Sequence, residues 1–138
     1  MKSNTRVVPL LAAAALVLGA CSSVPPRERM AGNLAEYQAA AGESVNSFWF
    51  PRLQSWEPLG EEYVLIRTGP RDMYLLTLEK PCNELPWASS IGLSSSTNRV
   101  HSKFDAVLVG DQRCRILQIQ SVDRDALKQA RAQDSGAT

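Results

Sequence analysis

The chain has 138 residues, with 15 basic and 14 acidic side chains and a formal net charge of +1. This length allows one domain with a modest hydrophobic core and leaves no room for a second. The near balance of charge, without a long run of either sign, argues against nucleic acid as a partner.

The N-terminal segment has the three parts of a secretory signal: a basic start, an apolar run over residues 7–18 and small residues before a cleavage point. The run is too short to span a bilayer. It ends in Leu18-Gly19-Ala20-Cys21, which resembles the lipobox of bacterial lipoproteins. We therefore predict a signal peptide over residues 1–20 and lipidation of the Cys21 thiol. The alternative is an ordinary signal cut after Ala20, with Cys21 as a spare thiol.

Lipidation would determine where the rest of the chain lies. Two or three acyl chains hold a protein on a membrane almost permanently, because each buried methylene contributes about 0.8 kcal/mol. In the sorting rule for bacterial lipoproteins, Asp directly after the lipidated cysteine is the signal for retention in the inner membrane. This chain has Ser22 at that position, so the rule implies the outer membrane, facing the periplasm. Residues 21–27 are predicted as the lipidated cysteine and an extended tether. A single globular domain is predicted over residues 28–133, and a frayed tail over residues 134–138.

A helix is predicted at each end of this domain. The first covers residues 28–41, with Gly42 as its C-cap, and the second covers residues 123–132, capped by Ser121 or Asp123. The apolar residues of the first helix recur at helical spacing: Met30, Leu34, Tyr37 and Ala41.

The centre of the chain has the composition of an antiparallel β-hairpin. Residues 63–66 and 73–78 are rich in β-favouring side chains and flank the turn sequence Thr68-Gly69-Pro70-Arg71. Apolar side chains occur on both faces of this hairpin. We therefore expect it to lie centrally in the sheet and to be covered on both sides.

A second hairpin is predicted from residues 104–109 and 112–119, which are separated only by Gly110-Asp111. This short turn sets the register, which pairs Val109 with Gln112, Val107 with Cys114 and Asp105 with Ile116. Val107, Val109, Cys114 and Ile116 then face the core, and the opposite face is predicted to be half exposed. That opposite face carries Phe104, Ala106, Leu108, Arg113 and Arg115.

Shorter elements complete the predicted fold. Residues 47–54 and 91–95 are weaker strand candidates, and Pro51 restricts the first to a sheet edge or a bulge. Residues 81–87 are expected to form a turn or a single helical turn. The predicted fold is therefore α+β: an antiparallel β-sheet of about five or six strands, curled towards a partly open barrel, with an N-terminal and a C-terminal helix.

Cys82 and Cys114 are the two cysteines that remain if Cys21 is lipidated. An even pair in an oxidising compartment predicts one disulfide. Their spacing is far from C-x-x-C, which argues against a redox-active motif.

A set of short motifs lies between Ser44 and Val122. It consists of Trp56, Tyr74-Leu75-Leu76-Thr77-Leu78 leading into Pro81-Cys82, Phe104-Asp105, and Cys114-Arg115-Ile116 with Ile119. The set resembles a family of small bacterial envelope proteins known only as a domain of unknown function. None of the motifs is a catalytic signature, so the resemblance implies an exported protein and a fold but no mechanism.

His101 is the single histidine, so any Ser-His-Asp arrangement must include it. Asp105 lies nearby in the sequence, and with Asp111 it could form a carboxylate pair for hydrolysis. The competing interpretation is structural, because His101 lies in a polar loop over residues 97–103, Asp105 begins a strand and Asp111 belongs to a turn. No G-x-S-x-G elbow accompanies them. We predict no catalytic residue, no metal site and no cofactor.

Phe48, Trp49 and Phe50 form a candidate binding surface. Alternation in an edge strand would point Trp49 away from both phenylalanines, so at least one aromatic side chain would face solvent. Trp56 and Trp87 could join them in an aromatic platform for a glycan or a peptide. The competing interpretation, which we favour, is that these aromatic residues belong to the core.

Two hypotheses on function follow. The favoured one is a lipid-anchored, non-catalytic module of the cell envelope that binds an envelope protein or a cell-wall component. The rival is a small periplasmic hydrolase with a polar site near His101 and Asp105. A deep pocket containing both side chains would favour the hydrolase, and a shallow apolar or aromatic patch would favour the binding module.

We predict that the mature protein begins at a lipid-modified Cys21. Mass spectrometry of the mature N-terminus should show that residues 1–20 are removed and that two or three acyl chains are added. Cys21→Ser should release the protein from the membrane fraction, because the acyl chains are its anchor. Cleavage at another residue, or an unmodified Cys21, would contradict the prediction.

Overall fold

The computed structural model describes residues 23–136. The predicted signal peptide, the lipobox and Cys21 lie outside the described residues. In chain order the elements are α1 (Pro26–Ala40), β1 (Ala41–Val45), β2 (Ser47–Trp49), β3 (Ser55–Pro58), β4 (Tyr63–Arg67), β5 (Met73–Leu78), a 3-10 helix (Leu85–Trp87), β6 (Gly92–Leu93), β7 (Arg99–His101), β8 (Ala106–Val109), β9 (Gln112–Val122) and α2 (Arg124–Ser135).

The strands form an antiparallel sheet around the long strand β9. Six strands follow the order β3-β4-β5-β9-β8-β6 and form a half-barrel, and β1 pairs with the C-terminal half of β9 as a seventh strand. β2 and β7 form a separate two-stranded ribbon. With α1 before the strands and α2 after them, the predicted α+β fold is confirmed.

The β4–β5 hairpin lies in the middle of the sheet and is buried on both faces, as predicted. Val64 and Leu76 point into an inner core that fills the half-barrel. Leu65 and Leu75 point the other way, into an outer core beneath the two helices. The alternation of side chains along each strand therefore separates two cores.

A bulge in β9 allows that strand to contribute to both cores. Thr77 pairs with Gln118 but the next residue of β5 pairs with Ile116, so Leu117 is an extra residue in the ladder. Ile116 and Ile119 are three residues apart, and the bulge lets both point into the inner core.

The β8–β9 hairpin has the predicted register. Val109 pairs with Gln112 and the remaining pairs follow from it. The N–H of Ile116 donates to the carbonyl oxygen of Asp105 over 2.9 Å, which continues the pairing beyond β8. Gly110 has a φ of 55°, a left-handed conformation that suits a tight hairpin turn.

The opposite face of this hairpin is half exposed, as predicted, because Leu108, Arg113 and Arg115 face solvent. β8 begins at Ala106 rather than at residue 104, and Phe104 lies in the preceding turn with 82% of its surface exposed. Ala106 itself is buried. β6 pairs with β8 on its other side, and Ser94 extends this pairing by donating its N–H to the Ala106 carbonyl.

The predicted strand over residues 47–54 is shorter than expected. β2 ends at Trp49, before Pro51, whose missing N–H cannot join a ladder. The chain resumes as β3 at Ser55. β3 lies at the edge of the sheet, where its terminal Pro58 is tolerated.

β7 occupies part of the segment over residues 97–103 that was predicted as a loop. The residues on either side of Thr97-Asn98 exchange two backbone hydrogen bonds of 2.9 Å, and φ values of 50° and 57° make this a tight turn. The turn leads into a strand, so His101 lies at a strand end. Phe48 and Val100 of the β2–β7 ribbon are buried in the inner core and help to close the half-barrel.

α1 differs from its prediction at both ends. It begins at Pro26, inside the predicted tether, because proline is tolerated in the first turn of a helix, where its missing N–H costs nothing. It ends at Ala40, and Gly42 lies in β1 instead of capping the helix. The reason is tertiary, since Ala41 pairs with Val122 and the chain passes into the sheet without a loop.

α2 packs against α1 over the outer core. Asp123 is its N-cap and accepts a backbone N–H from the first turn at 2.7 Å, which selects Asp123 over Ser121. The helix continues to Ser135, past its predicted end at residue 132 and into the segment predicted to fray.

Cys82 and Cys114 meet beside the β8–β9 hairpin. Their Cα atoms are 5.8 Å apart, and the two sulfur atoms form a disulfide within the inner core. The bond holds the 3-10 helix against the sheet. This helix lies inside the predicted turn over residues 81–87.

We predict that the double variant Cys82→Ala, Cys114→Ala loses about 3–4 kcal/mol in free energy of unfolding, because the bond closes a loop with a sequence separation of 32. Urea denaturation under oxidising conditions measures the loss. As a control, wild-type protein in reductant should unfold at nearly the same urea concentration as the variant. A difference below about 1 kcal/mol would show that the bond adds little.

Candidate functional site

Asp105 lies just before β8 and is buried, with 7% of its surface exposed. Its Oδ1 accepts a hydrogen bond from the Ser94 hydroxyl at 2.7 Å, and its Oδ2 accepts the backbone N–H of His101 at 2.7 Å. The His101 ring is partly exposed, and its Nδ1 lies 3.4 Å from the same Oδ2. The structure therefore brings a serine, a histidine and an aspartate together.

This cluster has the residue types of a hydrolytic triad in a different order. In a triad the histidine lies between serine and aspartate and removes the serine proton. Here Asp105 lies in the middle, and Ser94 Oγ also accepts the backbone N–H of Ala106 at 2.9 Å. Asp105 thus ties the turn after His101 to the end of β6, and the geometry supports the structural interpretation.

Asp111 is not part of this cluster. It is exposed in the β8–β9 turn, and the whole of β8 separates it from Asp105. Six residues of extended strand span about 20 Å, so the two carboxylates do not form a pair.

The three aromatic residues of the candidate binding surface point in different directions. Phe48 is buried and stacks on Tyr74, with ring centroids 4.3 Å apart. Phe50 is half-buried and meets Phe48 edge to face. Trp49 faces solvent with 53% of its surface exposed. The expected alternation is present, and the solvent-facing part of the segment is a single tryptophan.

A separate apolar groove lies between the first turns of α1, the β3–β4 turn and the 3-10 helix. Its volume is about 450 Å³. Trp87 forms one wall and remains 67% exposed, which is unusual for so large an apolar side chain. The apolar lining consists of Met30, Ala31, Leu34, Leu59, Tyr63, Pro86 and Trp87.

Charged side chains border this groove. Lys80 and Glu62 form an ion pair of 2.8 Å, and Arg27 and Glu61 also contribute to the lining. An apolar floor with a charged rim is the arrangement found at protein interfaces. Sequence reasoning placed Trp87 in the core, because the groove arises only when α1 packs across the β3–β4 turn and no local pattern signals that contact.

A polar cluster joins α1 to the sheet and to α2. The buried Tyr37 hydroxyl donates to Glu57 Oε2 at 2.7 Å, and the Asn33 amide donates to Glu57 Oε1 at 2.8 Å. Arg67 and Arg131 donate to the same hydroxyl at 3.2 and 3.5 Å. Burial and then the Glu57 carboxylate raise the pKa of Tyr37 against the opposing effect of Arg67, so the hydroxyl stays protonated at neutral pH.

Within residues 23–136, no group of three or more histidine, cysteine, aspartate or glutamate side chains is placed to hold a metal ion. None of the helices in this same range has the length and apolar character needed to cross a bilayer.

Fold and site define a small α+β protein built on a half-barrel, with an apolar groove beside its first helix. The chain belongs to a family of unknown function, DUF6491, whose family model matches residues 4–138. This confirms the resemblance to a domain of unknown function and extends it beyond residues 44–122. No curated protein and no solved structure matches the chain.

We predict that Asp105→Ala lowers the free energy of unfolding by about 2–4 kcal/mol, because it leaves a backbone N–H and the Ser94 hydroxyl without their acceptor. His101→Ala should cost less than about 1 kcal/mol, because its ring is partly exposed and makes one long contact. Urea denaturation compares the two variants. His101→Ala should also complement a deletion strain, and a folded His101→Ala protein without function would favour the hydrolase.

Proposed function

We propose that this protein is a lipid-anchored, non-catalytic module of the bacterial cell envelope that binds an apolar segment of another envelope protein. The observation that carries the proposal is the groove beside Trp87, where a tryptophan with 67% of its surface exposed stands over an apolar floor. Exposed tryptophans in apolar pockets are typical centres of binding energy at protein interfaces.

The lining of the groove favours a protein segment over a cell-wall glycan. Met30, Leu34 and Leu59 offer methyl and methylene groups and no hydrogen-bonding side chains. A sugar placed against them would lose water from its hydroxyl groups without gaining partners, which costs free energy. Apolar side chains of a peptide lose no such bonds.

The anchor supports a partner close to the membrane. Cys21, the proposed lipidation site, precedes the first residue of α1 by five residues, and a chain of that length reaches at most about 17 Å. The first turns of α1 form one wall of the groove. A lipid on Cys21 would therefore keep the groove near the bilayer surface, and the sorting rule applied to Ser22 favours the outer membrane.

Site-specific photo-crosslinking in intact cells tests the proposal. A crosslinking amino acid at Trp87 should give one discrete protein adduct, and the same amino acid at Trp49, which is also exposed, serves as the matched control. The additional substitution Ala31→Glu should lower the adduct roughly tenfold, because it places a charge in the apolar groove at an exposed helix position that tolerates the change.

Three results would contradict the proposal. The first is an equal pattern of adducts from positions 87 and 49, which would indicate chance collisions. The second is a position-87 adduct that Ala31→Glu leaves unchanged, since the partner would then touch Trp87 without entering the groove. The third is adducts with lipid alone, which would place the bilayer, and no protein, against Trp87.

A further inference from the structure

A second cleft lies between α2 and the β4–β5 turn. Its volume is about 310 Å³. Four of its lining side chains are cations and none is an anion. The lining consists of Arg67, Pro70, Met73, Arg124, Leu127, Lys128 and Arg131.

The spacing of the cations on α2 places them on one face of the helix. Arg124, Lys128 and Arg131 stand at positions i, i+4 and i+7, and the buried Leu127 between them fixes that face towards the sheet. Arg67 at the end of β4 adds the fourth charge from the opposite wall. The fold therefore concentrates positive charge that is dispersed along the sequence.

Few of these charges are neutralised by the protein. Arg131 pairs with Glu36 at 2.8 Å. Within residues 23–136, neither Arg124 nor Lys128 makes an ion pair or a side-chain hydrogen bond. Like charges gathered in one cleft repel each other, so the arrangement favours the binding of an anion.

Two of the guanidinium groups are held in place before any ligand arrives. Arg131 stacks over the Tyr37 ring, with its guanidinium carbon 5.7 Å from the ring centroid. Arg67 donates to the Tyr37 hydroxyl and, through Nε, to Met73 Sδ at 3.4 Å. Fixed guanidinium groups lose less entropy on binding, and their planar donors match the oxygens of a phosphate.

We infer that this cleft binds a phosphate-bearing anion, held by Arg67, Arg124, Lys128 and Arg131. Acidic groups of the adjoining surface do not line the cleft: Asp123 is engaged as the N-cap of α2, and Asp125 lines a neighbouring pocket together with Arg124 and Lys128. The phosphate belongs either to a lipid headgroup or to a free molecule. The inference does not depend on the groove beside Trp87, which involves different residues.

Titration of the full chain in micelles of an uncharged detergent tests the inference by nuclear magnetic resonance. If the phosphate belongs to a free molecule, pyrophosphate should cause saturable shifts of the α2 amides. The double variant Arg124→Glu, Lys128→Glu should weaken this binding at least about tenfold, because charge-assisted hydrogen bonds to phosphate are lost and repulsion replaces them. The double variant Arg29→Glu, Arg113→Glu is the matched control, since it reverses two exposed charges outside the cleft and should bind as wild type does.

Doping the micelles with phosphatidylglycerol or phosphatidylcholine distinguishes the sources of the phosphate. Saturable shifts with phosphatidylglycerol and none with pyrophosphate identify a lipid headgroup, and the reverse identifies a free phosphate. The inference is overturned if no probe saturates the α2 shifts, or if the cleft variant and the control variant bind equally well. Failure here leaves the crosslinking result at Trp87 unaffected, so the two proposals are tested separately.

Discussion

The extra residue at Leu117 determines which side chains of β9 reach each core. With strict alternation, Gln118 and Gln120 would follow Ile116 into the inner core, and Ile119 would point towards the helices. The bulge reverses the alternation once, so Ile119 returns to the inner core and Val122 reaches the outer one. Because α1 and α2 pack on the outer core, the groove and the cationic cleft both depend on this one irregularity.

Two polar residues fix the arrangement of the loops and helices, as the bulge fixes the arrangement of the sheet. Asp105 joins the end of β6 to the turn after β7, and Tyr37 joins α1 to β3, β4 and α2. Burial of a polar group costs free energy unless its hydrogen bonds are made. Each of these residues therefore favours the one arrangement of elements that supplies its partners. Within residues 23–136, every buried side-chain nitrogen or oxygen has such a partner.

Local signals explain which parts of the structure could be predicted. Gly110-Asp111 allowed the β8–β9 register to be derived, because a two-residue turn leaves one way to pair the strands. β1 was missed, because residues 41–45 have little preference for strand and become one only by pairing with β9. The groove and the cationic cleft were also missed, because both arise from contacts between elements that are far apart in the sequence. Arg67 and Arg131 are far apart in the sequence and meet only through Tyr37, which no periodicity reveals.

The junction of α1 and β1 has a mechanical consequence. No loop separates Ala40 from Ala41, so α1 is joined directly to the first residue pair of β1 with β9. A pull on the N-terminus must detach α1 from α2 and from the outer core before it loads that pair, which spreads the force over a wide contact. α1 and the half-barrel therefore respond to such a pull as one stiff unit, because there is no hinge between them.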